Sequence, residues 1–450
     1  MNKICLVKNA ETLLMLMICL FVSANFLSLS AQESKGEIYQ YARKIIDTMT
    51  SESMHGRGYV NDGDKIAANY IRTEFQNLGL KSFTKDYYQK FSFPVNTFPG
   101  EISFSYSSII DGTIVSFRGI AGKNFLISPA SPSATLDFSS IVFDSTYTKS
   151  SKKFEKFRKK IKSKDVFIIV DDRGVVDKSK LEYFRKVKSN YFGTNGIIEL
   201  VKKLTWEQSQ EFSMVVKVEA LADSFRFDGK GSGTVAIENK FIPNHQSQNV
   251  IAFVKGSESP DSFIVFSAHY DHLGQMGKDV YFPGANDNAS GCAMLLNLAK
   301  FYAMPEHQPK CSIAFIAFCA EEVGLLGSKY YTEKPLFPLK NIRFLLNMDI
   351  MGTGEEGITA VNGSVFKKEF DVLKQINTEN HFIKDVKTRG KAANSDHYFF
   401  SEKGVKAFFI YTMGGIKAYH DIYDRSETLP LNEFENLFKL INRFTEYLQN

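Results

Sequence analysis

The sequence predicts an α/β protein: a mixed, mainly parallel sheet flanked by helices, with a smaller strand-rich region inserted into it. Three observations predict this. From Asn249 to the C-terminus, short apolar runs alternate with segments of helical periodicity, as in βα units that feed a largely parallel sheet. Between about Thr97 and Ile242 the pattern changes to short β-type runs rich in Ser, Phe and Ile. The length of 450 residues exceeds what one ordinary core fills, so two are expected.

Lys3 and Lys8 precede a largely apolar run from Leu13 to Leu29, with small residues up to Ala31. This reads as a secretory signal peptide over residues 1–31 and predicts a secreted or periplasmic protein. Residues 32–96 open the mature fold, with Ile66, Ala67, Tyr70, Ile71, Phe75 and Leu78 at helical spacing and Gly79 as a stop. Residues 97–242 form the insert, in which Val166–Val170 and Gly196–Leu200 are apolar strands and Ser179–Lys188 is a helix. Residues 243–450 carry strands at Val250–Val254, Phe263–Ala268, Ser312–Cys319, Arg343–Met348 and Ala407–Thr412. Helices are expected at Ala289–Tyr302, Phe366–Asn377 and Asn432–Leu448.

Hydrophobic residues at 44% and charged residues at 23% suit a globular chain, and a net charge of +5 is small for this length. The lysines are scattered except for Lys152–Lys164, which reads as a solvated helix face, so no nucleic-acid partner is expected. No segment after residue 31 is apolar enough to span a bilayer, and no stable membrane insertion is expected once the signal is removed. Cys292, Cys311 and Cys319 sit in apolar surroundings and read as buried small hydrophobes, with no disulfide framework.

The polar residues of interest fall at strand ends, where open α/β sheets place their ligand sites. His269 and Asp271 follow the strand Phe263–Ala268; two apart in an extended segment, they point the same way, so Asp271 is placed to orient His269 as a metal ligand. Asp287 lies in the small-residue turn Gly284–Gly291 at a helix start, where it either bridges cations or caps the helix. Glu321 and Glu322 follow the strand Ser312–Cys319 and repel one another unless a cation or proton relieves them. One then sits on metal while the other takes a proton from water; the bland reading is a solvated pair. Asp349 and His420 follow two further strands. Each residue alone is unremarkable, but their recurrence at successive strand ends is not.

Ala268-His-Tyr-Asp-His-Leu-Gly274, Asn286-Asp-Asn288, Glu321-Glu322, Asn347-Met-Asp349 and Tyr419-His420 together resemble the motif set of the M28 zinc peptidases. The resemblance covers Gly56–Arg57 and the following helix, then Gln248 to the C-terminus, and it implies the zinc exopeptidase fold. It implies two Zn2+ ions per chain: Asp287 bridges them, His269 and Asp349 hold one, and Glu322 and His420 hold the other. Glu321 is then the general base that deprotonates a water held between the zincs and passes the proton to the leaving amine. Tyr419 matches a tyrosine that stabilises the oxyanion in some members. Ser395-Asp396-His397 resembles a segment near the site and reads as supporting structure.

Residues 97–242 resemble, more loosely, the protease-associated domain inserted in this family, which shapes substrate access or serves as a structural lid. The implied activity is peptide hydrolysis, with an aminopeptidase leading. A carboxypeptidase or dipeptidase needs cations for a substrate carboxylate, and Arg389 and Lys391 are candidates. Glutaminyl cyclase shares the fold but uses one zinc. A binding ectodomain has lost ligands that this chain keeps.

Overall fold

The protein is described by a computed structural model over residues 36–450. The expected signal peptide, residues 1–31, lies outside the described residues. Among the described residues no helix is long and apolar enough to cross a membrane.

Two mixed eight-stranded sheets organise the chain. The strands, in chain order, are β1 (Tyr88–Thr97), β2 (Ile102–Ile110), β3 (Thr113–Arg118), β4 (Phe125–Ile127), β5 (Ala134–Phe143), β6 (Val166–Val170), β7 (Gly196–Val201), β8 (Val216–Leu221) and β9 (Lys230–Ile237). There follow β10 (Lys240–Val254), β11 (Ser259–His269), β12 (Cys311–Phe318), β13 (Ile342–Met348), β14 (Ile358–Val361), β15 (Val386–Arg389) and β16 (Ala407–Thr412). The first sheet runs β1-β10-β12-β11-β13-β16-β14-β15 and the second β3-β2-β9-β5-β6-β7-β8-β4.

The centre of the first sheet, β12-β11-β13-β16, is parallel, as the βα alternation predicts. Its flanks are not. β1, β10 and β12 pair antiparallel in succession, and β14 pairs antiparallel with β16. The expectation of a mainly parallel sheet is therefore only partly met. The reason is topological: the chain leaves the first sheet along β1, builds the second sheet, and returns along β10. The two connecting strands lie side by side, Tyr88 opposite Val250 and Thr97 opposite Lys240.

The central strands are apolar along their whole length because helices cover both faces; β12 is buried at every residue. Helix α1 (Ser290–Ala303) buries nearly all of its length, while α2 (Phe434–Gln449) shows the one-sided stripe of a surface helix, with Leu437, Leu440, Ile441 and Phe444 turned inward. In the second sheet, Lys152, Lys153 and Lys156 are exposed on the helix Ser151–Phe157, whose Phe154 and Phe157 are buried. That helix is a solvated face anchored by two rings. The second sheet's core includes Phe104, Phe125 and Trp206, and it continues into Leu273, Met276, Phe282 and Ile422, which belong to loops of the first sheet. Cys292, Cys311 and Cys319 are buried and unpaired among the described residues.

Candidate metal centre

Every polar residue picked out at a strand end arrives at the carboxyl edge of the parallel centre. His269 is the last residue of β11, and Asp349 follows β13 directly. Glu321 and Glu322 lie in the loop after β12, past Cys319 and Ala320, and His420 lies in the loop beyond β16. Parallel pairing of β11 with both β12 and β13 brings these ends together without side-chain help.

Asp287 does not cap a helix. It lies in the turn Ala285–Ala289 at φ −109°, ψ 97°, and α1 begins after it with no side-chain cap. Its carboxylate spans the site instead: Oδ1 is 3.4 Å from His269 Nε2 and Oδ2 is 3.1 Å from His420 Nε2. The turn is tight because Gly284 (φ +60°) has no side chain; a Cβ there would come within 2.2 Å of the Asp287 carbonyl and 2.4 Å of the His272 ring. Arg57, fully buried, secures the same turn by donating to the carbonyls of Pro283, Gly284 and Asp287. Asp424 closes it from the other side, accepting from the backbone N–H groups of Asn286 and Asp287.

Both histidines are oriented alike. His269 Nδ1 donates to the Asp271 carbonyl at 3.2 Å, and His420 Nδ1 donates to the Trp206 carbonyl at 3.0 Å. With Nδ1 so committed, each Nε2 faces carboxylates: Asp287 and Asp349 (3.3 Å) for His269, Asp287 and Glu322 (3.3 Å) for His420. This is how proteins present imidazole to a metal.

Asp271 corrects one expectation. Its carboxylate does not serve His269, whose Nδ1 lies 3.8 Å from Oδ1. β11 ends at His269, so the alternation that would align the two side chains has stopped. The carboxylate instead accepts the backbone N–H groups of Glu321 (3.2 Å) and Glu322 (3.4 Å) and the Tyr59 hydroxyl (2.8 Å). Asp271 positions the glutamate loop.

The electrostatics show what the site requires. Asp287, Glu321, Glu322 and Asp349 converge, and Asp349 Oδ1 is buried without a hydrogen-bond partner. Burial, opposed by His269 and reinforced by Glu322 and Asp396, holds the Glu321 carboxyl well above the usual range. Asp287 goes the other way, because His420, His272 and His269 outweigh its burial and hold it low. Burial lowers the His420 imidazole, but Glu322 and Asp287 override it and raise it to about 10. So much negative charge, focused on nitrogen lone pairs, fits divalent cations with mixed N and O ligands. The ligand atoms of His269, Asp287 and Glu322 lie within 4.8 Å of one another, as do those of His269, Glu321 and Asp349.

A cleft of about 250 Å³ opens over these residues, walled by Ile350, Phe409, Tyr411, Tyr419, Asn394 and Arg389. Tyr419 stacks on His420 at 4.0 Å, its rings 12° from parallel. Of the cations expected here, only Arg389 lines the cleft; Lys391 is paired with Glu402. Ser395 donates to Asp349 Oδ2 (3.3 Å) and accepts from Asn347, while Asp396 and His397 are buried beneath the site. Sequence reasoning gave no role to His272, which is buried and donates from Nδ1 to Glu322 Oε1 at 2.6 Å. Its signal was its place in the Ala268–Gly274 motif, three residues after His269. Tyr59 and Asp424 were given no role either: each acts on a loop remote in sequence, Tyr59 on Asp271 and Asp424 on the Asn286–Asp287 turn.

Residues 249–445 match the family model described as Peptidase family M28. A probable zinc metalloprotease of Pyrenophora teres f. teres is 34% identical over 145 residues, 29% of this chain and 30% of that protein. Aminopeptidase YwaD of Bacillus subtilis is 33% identical over 174 residues, 37% of this chain and 36% of that protein. The chain thus spans about a third of the length of these curated relatives. Among solved structures, a peptidase M28 precursor from Shewanella amazonensis aligns with a TM-score of 0.64 at 17% identity, covering 95% of this chain and 96% of that one. The zinc aminopeptidase BSAP from Bacillus subtilis aligns at 0.63 and 19% identity, covering 91% and 94%. At these identities the two structures establish a shared fold.

Proposed function

We propose, from the premise that this chain belongs over residues 249–445 to peptidase family M28, that it is a two-zinc aminopeptidase. It would act on peptides outside the cytoplasm after export by residues 1–31. The observation that carries the reading is the Asp287 carboxylate, one oxygen facing His269 and the other facing His420. His269 and Asp349 would hold one zinc, Glu322 and His420 the other, with Asp287 common to both. When bound, the two ions supply Lewis-acid activation of water and of the scissile carbonyl.

The protein's own groups supply the rest. Glu321 takes the proton of the attacking water and delivers it to the leaving amine, a role suited to a carboxylate on the cleft wall beside the ligand residues. Asp271 fixes Glu321 through its backbone N–H, so the base does not drift from the water it serves. Tyr419, on the cleft wall, offers a phenol to the developing oxyanion. The surrounding carboxylates favour a substrate's free amine, which is the argument for an aminopeptidase.

Arg389 on the cleft wall favours a second reading, a carboxypeptidase or dipeptidase that grips a substrate carboxylate. Elemental analysis of the purified protein, with amine release from a panel of aminoacyl anilides, decides between them. The expected result is two zincs per chain and chelator-sensitive release. Two zincs without release moves the assignment to the second reading, and a metal-free chain overturns both.

A further inference from the structure

Both candidate histidine ligands need a partner on Nδ1, but they obtain it from different places. His269 uses the carbonyl of Asp271, two residues away on its own loop. His420 uses Trp206, 214 residues away, in the segment between β7 and β8 of the second sheet. The Trp206 N–H also donates to the His420 carbonyl at 2.9 Å, so the contact is reciprocal. His420 has φ +52°, a left-handed backbone that a non-glycine keeps only when its surroundings over-determine it.

The same segment grips the His420 loop a second time. Lys203 Nζ donates to the carbonyls of Lys417 (3.0 Å) and Tyr419 (3.3 Å) and pairs with Asp421 at 3.2 Å. These contacts flank His420 on both sides. The segment is itself anchored: Trp206 is buried, its indole N–H donates to the Ile127 carbonyl at 2.7 Å, and its ring stacks on Phe282 at 4.8 Å.

We propose that Lys203 and Trp206 are positioning residues for His420, so that the Glu322–His420 metal position is completed by the second sheet whereas the His269–Asp349 position is not. This rests on the two-zinc reading above and goes beyond it. The second sheet then holds a ligand in place, a role distinct from shaping substrate access or lying over the site.

Lys203→Met is the decisive variant, because the side chain is about half exposed and its loss leaves the core intact. Wild type, Lys203→Met, Lys203→Arg and Trp206→Phe would be equilibrated with graded chelator and their zinc per chain measured. Trp206 is the only tryptophan, so its emission reports the segment without interference, with or without metal. The expected result is that Lys203→Met releases one zinc at about tenfold lower chelator concentration, the scale typical of ligand-orienting partners, while the other zinc stays. Trp206 emission should shift to the red, kcat should fall with KM nearly unchanged, and Lys203→Arg should restore both zincs. Trp206→Phe, which keeps the backbone contacts, should lie between wild type and Lys203→Met. Wild-type retention of both zincs in Lys203→Met, or simultaneous loss of both, overturns the proposal. A wild-type chain that binds no zinc is a separate outcome, which overturns the metallopeptidase reading and this one with it.

Discussion

His269 and Asp349 stand at the ends of adjacent parallel strands, whereas Glu322 and His420 stand on loops, and the two pairs are held by different means. The β11–β13 ladder runs to Ser267–Asn347, His269 continues paired with Phe318 and the Asp349 N–H donates to the Ile410 carbonyl, so backbone pairing reaches both residues of the first pair. The second pair has no ladder beneath it. Glu322 is held by His272 and by Asp271, and His420 by Trp206 and Lys203. Ligands on strands need few side-chain tethers; ligands on loops need several, and those tethers come from distant parts of the chain. Asp287 joins the two halves.

On the two-zinc proposal the sharpest test of that junction is Asp287→Ala, which should remove both zincs and all measurable turnover because neither half would keep a shared carboxylate. Loss of a single zinc would show that the halves are independent. Glu321→Gln should cut turnover by about 10² to 10⁴-fold while elemental analysis still finds two zincs. Equal metal loss in both variants would remove the distinction between ligand and base.

Weaker changes should separate the halves. His272→Ala removes the donor to Glu322 Oε1 and should weaken the loop-held zinc by about 10- to 100-fold, read by chelator titration. His272→Asn, which keeps a donor near Nδ1, should recover most of it. Ser395→Ala removes a longer bond to Asp349 and should cost the strand-held zinc about tenfold or less, on the order of 1 kcal/mol. A larger effect at Ser395 than at His272 would contradict the view that the ladder carries the first half.

The same contrast explains what the sequence made legible. Strand ends carry a signal because an apolar run stops and a polar residue follows: Ala407–Thr412 was expected and observed at identical bounds, and Phe263–Ala268 lies within β11. His269, Asp349 and the Glu321–Glu322 pair could be placed at one edge on that ground alone. β1 was missed although Tyr88–Thr97 alternates buried and less buried residues, because Pro94 interrupts the run and its partner is more than 140 residues away. Tyr59, Lys203, Trp206 and Asp424 were missed for a related reason. Each acts through a contact fixed by tertiary structure, and a lone residue before or after a turn has no periodicity to betray it. The Asp271 carboxylate meets His269 only at 3.8 Å, and its hydrogen bonds go to Tyr59 and the glutamate loop, because the strand ends at His269.

The smallest expected effect concerns pH and the floor of the strand-held half. His397 lies buried beside the Phe409 ring (5.5 Å), next to the segment that holds Asp349, and burial depresses its imidazole to about 4 from the ordinary 6.5. The unfolded chain therefore binds a proton in the window from about pH 6.5 to 4 that the folded chain refuses. The stability contributed by neutral His397 is fully present above the higher value and is lost as pH falls through the window, by up to about 3 kcal/mol. His397→Leu removes this group, so the difference in urea unfolding free energy between wild type and variant should shrink or reverse on going from pH 7 to pH 4.5. A difference independent of pH would mean that His397 takes up its proton as readily in the folded chain as in the unfolded one, which would overturn the depressed value.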